Sequence, residues 1–186
     1  MKYDRIIKGR FVDIRSIDVE DAEFSYDIRN MEFARNLVGK QVKDVDSQRK
    51  YIEQQLDREG DYYFVILSKS GKKIGLYGIY NIHDNIAEFG REVSIGNSVQ
   101  AMETKLMMLD FARDVLGIKQ VYSVIYTCNV KQLNQQKRFG IEPIGKVRRG
   151  DDECFEFLTD IDILIDRNKK LRKLLSQIEG NDSFKE

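Results

Sequence analysis

Apolar and polar residues first alternate along Phe11–Arg15, the period of a half-buried strand. Asp18 then offers an N-cap for a helix over about Val19–Arg29, with Asp21 at its third position. Asp46 is the expected cap of a second helix, Ser47 to about Arg58, on which Tyr51, Ile52 and Leu56 share a face; Gly60-Asp61 ends it. Tyr62–Leu67 is an unbroken aromatic and β-branched run, as in a strand buried on both sides. Turns at Lys69–Lys73 and His83–Asn85 delimit the strands Lys73–Ile82 and Ile86–Ile95, which continue it as an antiparallel meander. Gly75 and Gly78 predict a bend or a close approach within the first of these.

The period changes after Gly96-Asn97-Ser98. Val99–Leu116 predicts a long helix closed by Gly117, and Gln120–Tyr126 a further strand, so that strand, helix and strand form a right-handed crossover. A short polar helix over Asn129–Arg138 follows. Pro143–Arg149 and Glu153–Ile163 then pair across Gly150–Asp152, and about Asp166–Ile178 carries an apolar stripe of Leu171, Leu174, Leu175 and Ile178. The order predicts a mixed α/β fold (an α+β mixed sheet) over residues 1–165. An amphipathic C-terminal helix and a disordered tail from Gly180 occupy 166–186.

At 186 residues such a chain can bury a full core as one domain. Its 31 basic and 31 acidic residues cancel, leaving no global field toward nucleic acid or anionic lipid. Lys146, Arg148, Arg149 and the cations of Lys169–Lys173 are the argument for an RNA- or ribosome-associated protein; the acids Asp151, Asp152 and Asp166 among them weaken it. Cys128 and Cys154 can build neither a disulfide framework nor a four-thiolate zinc site, and a single histidine, His83, excludes a multi-histidine metal centre. Met1–Arg10 lacks the apolar core of a signal peptide, and no apolar run approaches the roughly 18 residues of a membrane span. The expectation is a cytoplasmic protein with no membrane, nucleic-acid or metal partner.

Several segments resemble the GCN5-related N-acetyltransferases, the GNAT superfamily, between Phe11 and about Ile163. Val12-Asp13-Ile14-Arg15 with Asp18–Asp21 is similar to that family's first strand and helix, and Ile74-Gly75 with Ile79 to its third strand. Ala87-Glu88-Phe89-Gly90 leading to Val93-Ser94-Ile95 looks like its fourth strand. Asn129 followed by Lys137-Arg138-Phe139-Gly140-Ile141 resembles its closing motif. The acyl-CoA loop departs from the family pattern. Of Gly96-Asn97-Ser98-Val99-Gln100-Ala101 only Ala101 fits, Gly96 standing at the basic or amide position and Val99 at the central glycine, with the acid that often follows present as Glu103. Backbone N–H groups at a helix N-terminus can hold a pyrophosphate whatever the side chains, provided that the Val99 Cβ stays clear. The alternative is a plain strand-to-helix turn capped by Ser98.

The resemblance implies a GNAT-like acyl-CoA N-acyltransferase fold with an extra C-terminal helix. It also implies transfer of an acetyl group from acetyl-CoA, as acyl donor, to a small primary amine in a ternary complex, without a metal. Implied donor contacts are Val93, Ser94, Ile95, Asn97, Ser98, Val99, Gln100, Ala101, Met102, Asn129 and Lys137, with a backbone N–H near Val93 facing the thioester oxygen. Glu88 is the first candidate for general base, and Glu92, on the same face by period two, the reserve. Arg91 between them falls on the opposite face, structural or solvated rather than catalytic. The family's usual acid, a Tyr, is replaced by Gln136, which makes Tyr126 a candidate substitute. Arg29, Asn30, Tyr51 and His83 are the candidate acceptor contacts. The overall impression places acetyltransferases of amino-sugar nucleotides slightly ahead of those of protein N-termini. A non-catalytic acyl-CoA-binding or assembly module is the rival that the altered loop and missing Tyr motivate. The last helix either packs on the sheet or extends a homodimer interface.

Overall fold

The computed structural model describes residues 1–34 and 43–178. Among these, eight strands form one mixed sheet in the order β1-β2-β3-β4-β5-β6-β8-β7. They are β1 (Ile7–Lys8), β2 (Val12–Ser16), β3 (Tyr62–Ser68), β4 (Lys73–His83), β5 (Ile86–Ser94), β6 (Gln120–Tyr126), β7 (Gly145–Arg149) and β8 (Asp152–Asp160). Neighbours pair antiparallel except β5 and β6, which the long crossover helix makes parallel. The helices are α1 (Ala22–Asn30), α2 (Val45–Leu56), α3 (Ser98–Asp114), α4 (Val130–Arg138), α5 (Ile161–Arg167) and α6 (Lys169–Gln177). None of the described helices is long and apolar enough to cross a membrane, and no group of three or more potential metal ligands occurs among the described residues.

The sheet separates two cores. On one side Phe64, Tyr77, Ile79, Ala87 and Phe89 meet Met108, Leu109, Phe111 and Ala112 of α3, joined by Ile161 and Leu164 of α5. On the other side Tyr63, Val65, Leu76 and Val93 meet Ala22 and Ile28 of α1 and Ile52 of α2. Glu103, which follows the altered loop, is buried and accepts the backbone N–H groups of Arg10, Phe11 and Val12 at 2.7–2.9 Å. It ties the start of β2 to α3.

The expected elements are present, with shifted ends. Asp44, not Asp46, caps α2, accepting from the Ser47 N–H at 2.8 Å. Asn97, not Ser98, caps α3 through a reciprocal capping box with Gln100. The run read as strand to Ile163 stops at Asp160, whose carboxylate accepts the N–H groups of Asp162 and Ile163 and so starts α5. The single last helix is thus two, hinged at buried Asn168, whose amide donates to the Leu164 carbonyl at 2.7 Å. α6 is fastened to α3 by a two-pronged pair from Arg172 to Asp110. The tail expected from Gly180 lies outside the described residues.

Asp21 links α1 to the sheet. Its carboxylate is buried, takes both arms of Arg15 at 2.7 and 2.9 Å and Lys73 at 2.6 Å, and accepts the Asp18 N–H. Burial opposes its charge, but these partners outweigh burial and hold its pKa down at about 2, against an ordinary 3.8. A depressed carboxylate stabilises the fold fully above the unfolded value and loses that contribution as pH falls through the folded one. The urea midpoint should therefore fall steeply between about pH 4 and pH 2 in the wild type and less steeply in Asp21→Asn; parallel curves at pH 6, 4 and 3 would refute the assignment.

Candidate active site

The parallel pairing of β5 with β6 lasts three rungs, Ile86, Ala87 and Glu88 against Gln120, Val121 and Tyr122. Beyond Glu88 the strands diverge. A cleft with about 880 Å³ of empty space, part of it open to solvent, lies between Phe89–Glu92 and Ser123–Tyr126. Lys105 and Leu109 of α3, and Asn129, Gln132 and Gln136 at α4, complete its walls.

The divergence coincides with a bulge. Gly90 pairs with Gly78 but Val93 pairs with Leu76, so β5 carries one extra residue, and Arg91 sits there with a left-handed φ of 53°. The glycines serve this geometry: a Cβ at Gly78 would lie 3.0 Å from the Arg91 Cδ, and one at Gly90 would strike the Tyr80 hydroxyl. Both make room for Arg91 and Tyr80 to lie across the sheet, the guanidinium 4.0 Å from the Tyr80 ring centre. Arg91 ends as a two-pronged ion pair with buried Asp61 at 2.6 and 2.9 Å, beside Tyr51 and Tyr63.

The bulge reverses two expectations. An extra residue inverts the alternation, so Arg91 shares the α1–α2 face with Glu88 through Tyr80, while Glu92 turns to the α3 face, near Tyr77 and Lys105. Glu92 is therefore not in place as a reserve for Glu88. The backbone donor moves too. The Ile95 N–H bonds to the Ile74 carbonyl, and the same alternation sends that of Val93 to Leu76. The same alternation turns the Ser94 N–H away from β4, and the bulge residues Gly90, Arg91 and Glu92 line the cleft.

Glu88 is buried and heavily partnered. It accepts the Tyr80 hydroxyl at 3.0 Å, the Asn81 amide at 2.9 Å and the Arg149 guanidinium at 2.6 Å. Asn81 reaches it because a second irregularity in β4, with Asn81 at φ 52°, rotates the amide inward. Arg149 comes from the end of β7, 61 residues along the chain, and stays 42% exposed. Burial and the Glu88 charge hold the Tyr80 phenol well above its ordinary pKa. On β6, Tyr122 donates to Glu156, and burial with this bond pushes its phenol up to about 12. Tyr126, at the cleft, is also raised by burial and remains a protonated donor.

At the N-terminus of α3 the capping box uses the N–H groups of Asn97 and Gln100, and the first helical bond runs from Ala101 to the Asn97 carbonyl. Helix geometry leaves the Ser98 and Val99 N–H groups pointing outward. Asn97 and Ser98 are exposed there, Val99, Gln100, Ala101 and Met102 partly so. Ser94 spends its hydroxyl on the Ile74 carbonyl and the Gly96 N–H, and the Ile95 side chain is exposed beside the turn. Asn129 lines the cleft and caps α4 through the Gln132 N–H. Lys137 is exposed in the last turn of α4, outside the cleft lining.

Of the acceptor candidates, Tyr51 lies against Arg91; Asn30 donates to the Tyr26 carbonyl, next to Arg29 at the end of α1. His83 is exposed at the far end of β4, bonded to the Asn81 carbonyl. Residues 35–42, between α1 and α2, lie outside the described residues.

Residues 12–142 match the family model for an acetyltransferase (GNAT) domain. The chain belongs to the GNAT family. Its fold is that of the apo form of FdhC, a nucleotide-linked sugar GNAT, with a TM-score of 0.78 at 22% identity over 93% of this chain and 99% of that one. A GCN5-related N-acetyltransferase from Brucella melitensis gives 0.77 at 16% identity over 93% and 86%. The spermidine N-acetyltransferase from Vibrio cholerae in complex with CoA and spermine gives 0.73 at 14% over 84% and 99%. No curated protein sequence matches significantly. The GNAT domain makes this chain an N-acetyltransferase, and acetyl-CoA is the acyl donor expected of its family.

The residues present fit that donor. The cleft between β5 and β6 leaves unpaired strand edges for a peptide-like arm, and the carbonyl of buried Gln136, on its wall, has no partner among the described residues. The free N–H groups of Ser98 and Val99 suit a pyrophosphate. Sequence reasoning missed Lys105, the Arg149–Glu88 pair and the Arg91–Asp61 pair. The two pairs join residues far apart in sequence and have no local signal.

Proposed function

We propose that this GNAT enzyme acetylates the primary amine of an amino-sugar nucleotide, with Glu88 receiving the proton that the amine must lose before attack. The observation that carries the reading is the placement of Glu88 at the last paired rung of β5 and β6, at the mouth of the donor cleft but on the opposite face. Donor and acceptor then approach from opposite sides of the sheet. The N–H groups released at the bulge, next to Val93, take the role of oxyanion donors. Ser98 and Val99 hold the pyrophosphate, Asn129 the pantetheine arm, and the Tyr126 phenol donates a hydrogen bond at the cleft mouth. Arg29, Asn30, Tyr51 and His83 remain the proposed acceptor contacts.

Charge favours the sugar nucleotide over a polyamine. Three acids on the acceptor face are already engaged, Glu88 with Arg149, Asp61 with Arg91 and Glu156 with Tyr122. The half-exposed Arg149 is a cation that an arriving ammonium displaces from Glu88 and that can then bind a diphosphate.

Calorimetry tests the donor site first: acetyl-CoA and CoA are expected to bind the wild type at micromolar concentration and Asn129→Ala at least several-fold more weakly. Thiol release is then compared across a nucleoside-diphosphate amino sugar, spermidine and an N-terminal peptide. Turnover of spermidine alone would reverse the acceptor assignment. No binding at millimolar concentration would mean that the Val99 side chain closes the loop.

A further inference from the structure

The donor cleft holds a cation that the roles above leave unused. Lys105 lies one helical turn before Leu109 on α3, and both line the cleft. Its ammonium sits 4.9 Å from the Phe139 ring centre and has no hydrogen bond or ion pair with any described residue; Glu92 is its charged neighbour. An ammonium carries three donors, and on the wall of this partly open cleft those of Lys105 are available to an acceptor that a ligand brings. Gln136 shares this wall, but an amide has no proton to give at neutral pH.

We infer that Lys105 is the acid that gives a proton to the departing thiolate of the acyl donor, the step for which Gln136 is unsuited. The inference rests on the acetyl-transfer reading above. As the acceptor nitrogen bonds to the acetyl carbon, the carbon–sulfur bond breaks and its electron pair stays on sulfur. The proton from Lys105 Nζ neutralises that sulfur and leaves a neutral amine, which regains a proton from solvent. The proton lost by the acceptor leaves by Glu88 on the other face. Burial lowers the Lys105 pKa from 10.5, and Glu92 only partly opposes this. A lowered ammonium pKa makes Lys105 a readier proton donor to a thiolate than an ordinary lysine. Tyr126 is a poorer acid, because burial raises its phenol and, four residues from Tyr122, it shares the face of β6 on which Tyr122 bonds to Glu156, away from α3.

The titratable and charged groups on the walls around Lys105 are Glu92 and Arg91 of β5, Tyr77 of β4 and Tyr126 of β6; α4 contributes neutral glutamines. Both tyrosines are shifted upward, so a fall of kcat at moderately alkaline pH reports Lys105.

The test uses the full chain. Lys105→Met should bind acetyl-CoA within threefold of wild type by calorimetry, lose kcat by about 10²-fold or more, and lose the alkaline fall of kcat with the best amine of the panel. Lys105→Arg keeps the charge but holds its proton too tightly, and should regain less than a tenth of the lost rate. Independently of turnover, trace labelling with fluorodinitrobenzene, read by peptide mass spectrometry across pH, should show Lys105 titrating below the other lysines and protected by CoA. A Lys105→Met kcat within threefold of wild type, a loss confined to KM, or ordinary unprotected labelling would each overturn the inference. Should the wild type transfer acetyl to no amine tried, the reading of function falls, and the labelling pKa of the free protein still judges Lys105.

Discussion

Replacing Glu88 with glutamine is expected to lower kcat for acetyl transfer by about 10²–10⁴-fold, the usual contribution of a positioned general base. Binding of acetyl-CoA should be unchanged, because the donor cleft lies on the other face of β5. The substitution keeps the shape of the side chain and its contact with the Tyr80 hydroxyl. It gives up the Asn81 contact at the other oxygen and the charge that Arg149 pairs with; Arg149 is half-exposed and can be solvated without burying an unpaired charge. Loss of rate with an unaltered unfolding midpoint separates chemistry from folding. The residual rate should climb with pH as the free-amine fraction of the acceptor grows, since the variant must wait for solvent to remove the proton. A variant that raises KM for the amine and leaves kcat intact would make Glu88 a binding residue only.

Asp61→Ala should have the largest effect on stability. Asp61 is 5% exposed and carries both arms of Arg91, whose guanidinium is wedged among Tyr51, Tyr63 and Tyr80. Removing the carboxylate leaves a buried cation without its counter-charge, a change that costs about 3–5 kcal/mol. For a chain of this size that lowers Tm by on the order of 10 °C. It also removes an acceptor of the Gln55 amide, which ties α2 to the start of β3. The double variant Asp61→Leu/Arg91→Met should be less damaged than Asp61→Ala alone, because neither charge is then stranded. Urea denaturation of the variants measures both effects; a double variant as unstable as the sum of the single ones would show that the pair is not a coupled unit.

The strands were readable because β-branched and aromatic runs such as Tyr62–Leu67 lie between polar turns, and the change of period at Gly96–Ser98 marks the crossover to α3. Helix starts were off by one or two residues where several capable caps stand together, as at Asp44 and Asp46 or Asn97 and Ser98. α5 was hidden because Thr159–Ile163 has strand-like composition, and only the Asp160 cap turns it into a helix. For the site, Glu88 and Asn129 are where the motif reading placed them. The positions of Glu92 and of the Val93 donor were misread for one cause, the bulge. Its left-handed residue is an arginine, not a glycine, and nothing in the composition of β5 marks it. The partners of Glu88 and Arg91 come from β7 and from the loop before β3, distances over which periodicity carries no information.

The bulge at Arg91 makes β5 a strand of two dialects. Glu88, before it, addresses whatever approaches from α1 and α2, and Glu92, just after it, addresses what lies against α3. On the roles proposed above, acceptor and donor are thus addressed from nearby positions of one strand, and substitutions at Glu88 and at Glu92 should act on them separately. Deleting Arg91 would restore plain alternation with Glu92 still against α3, and would leave Asp61 and the tyrosines around it without the cation they hold.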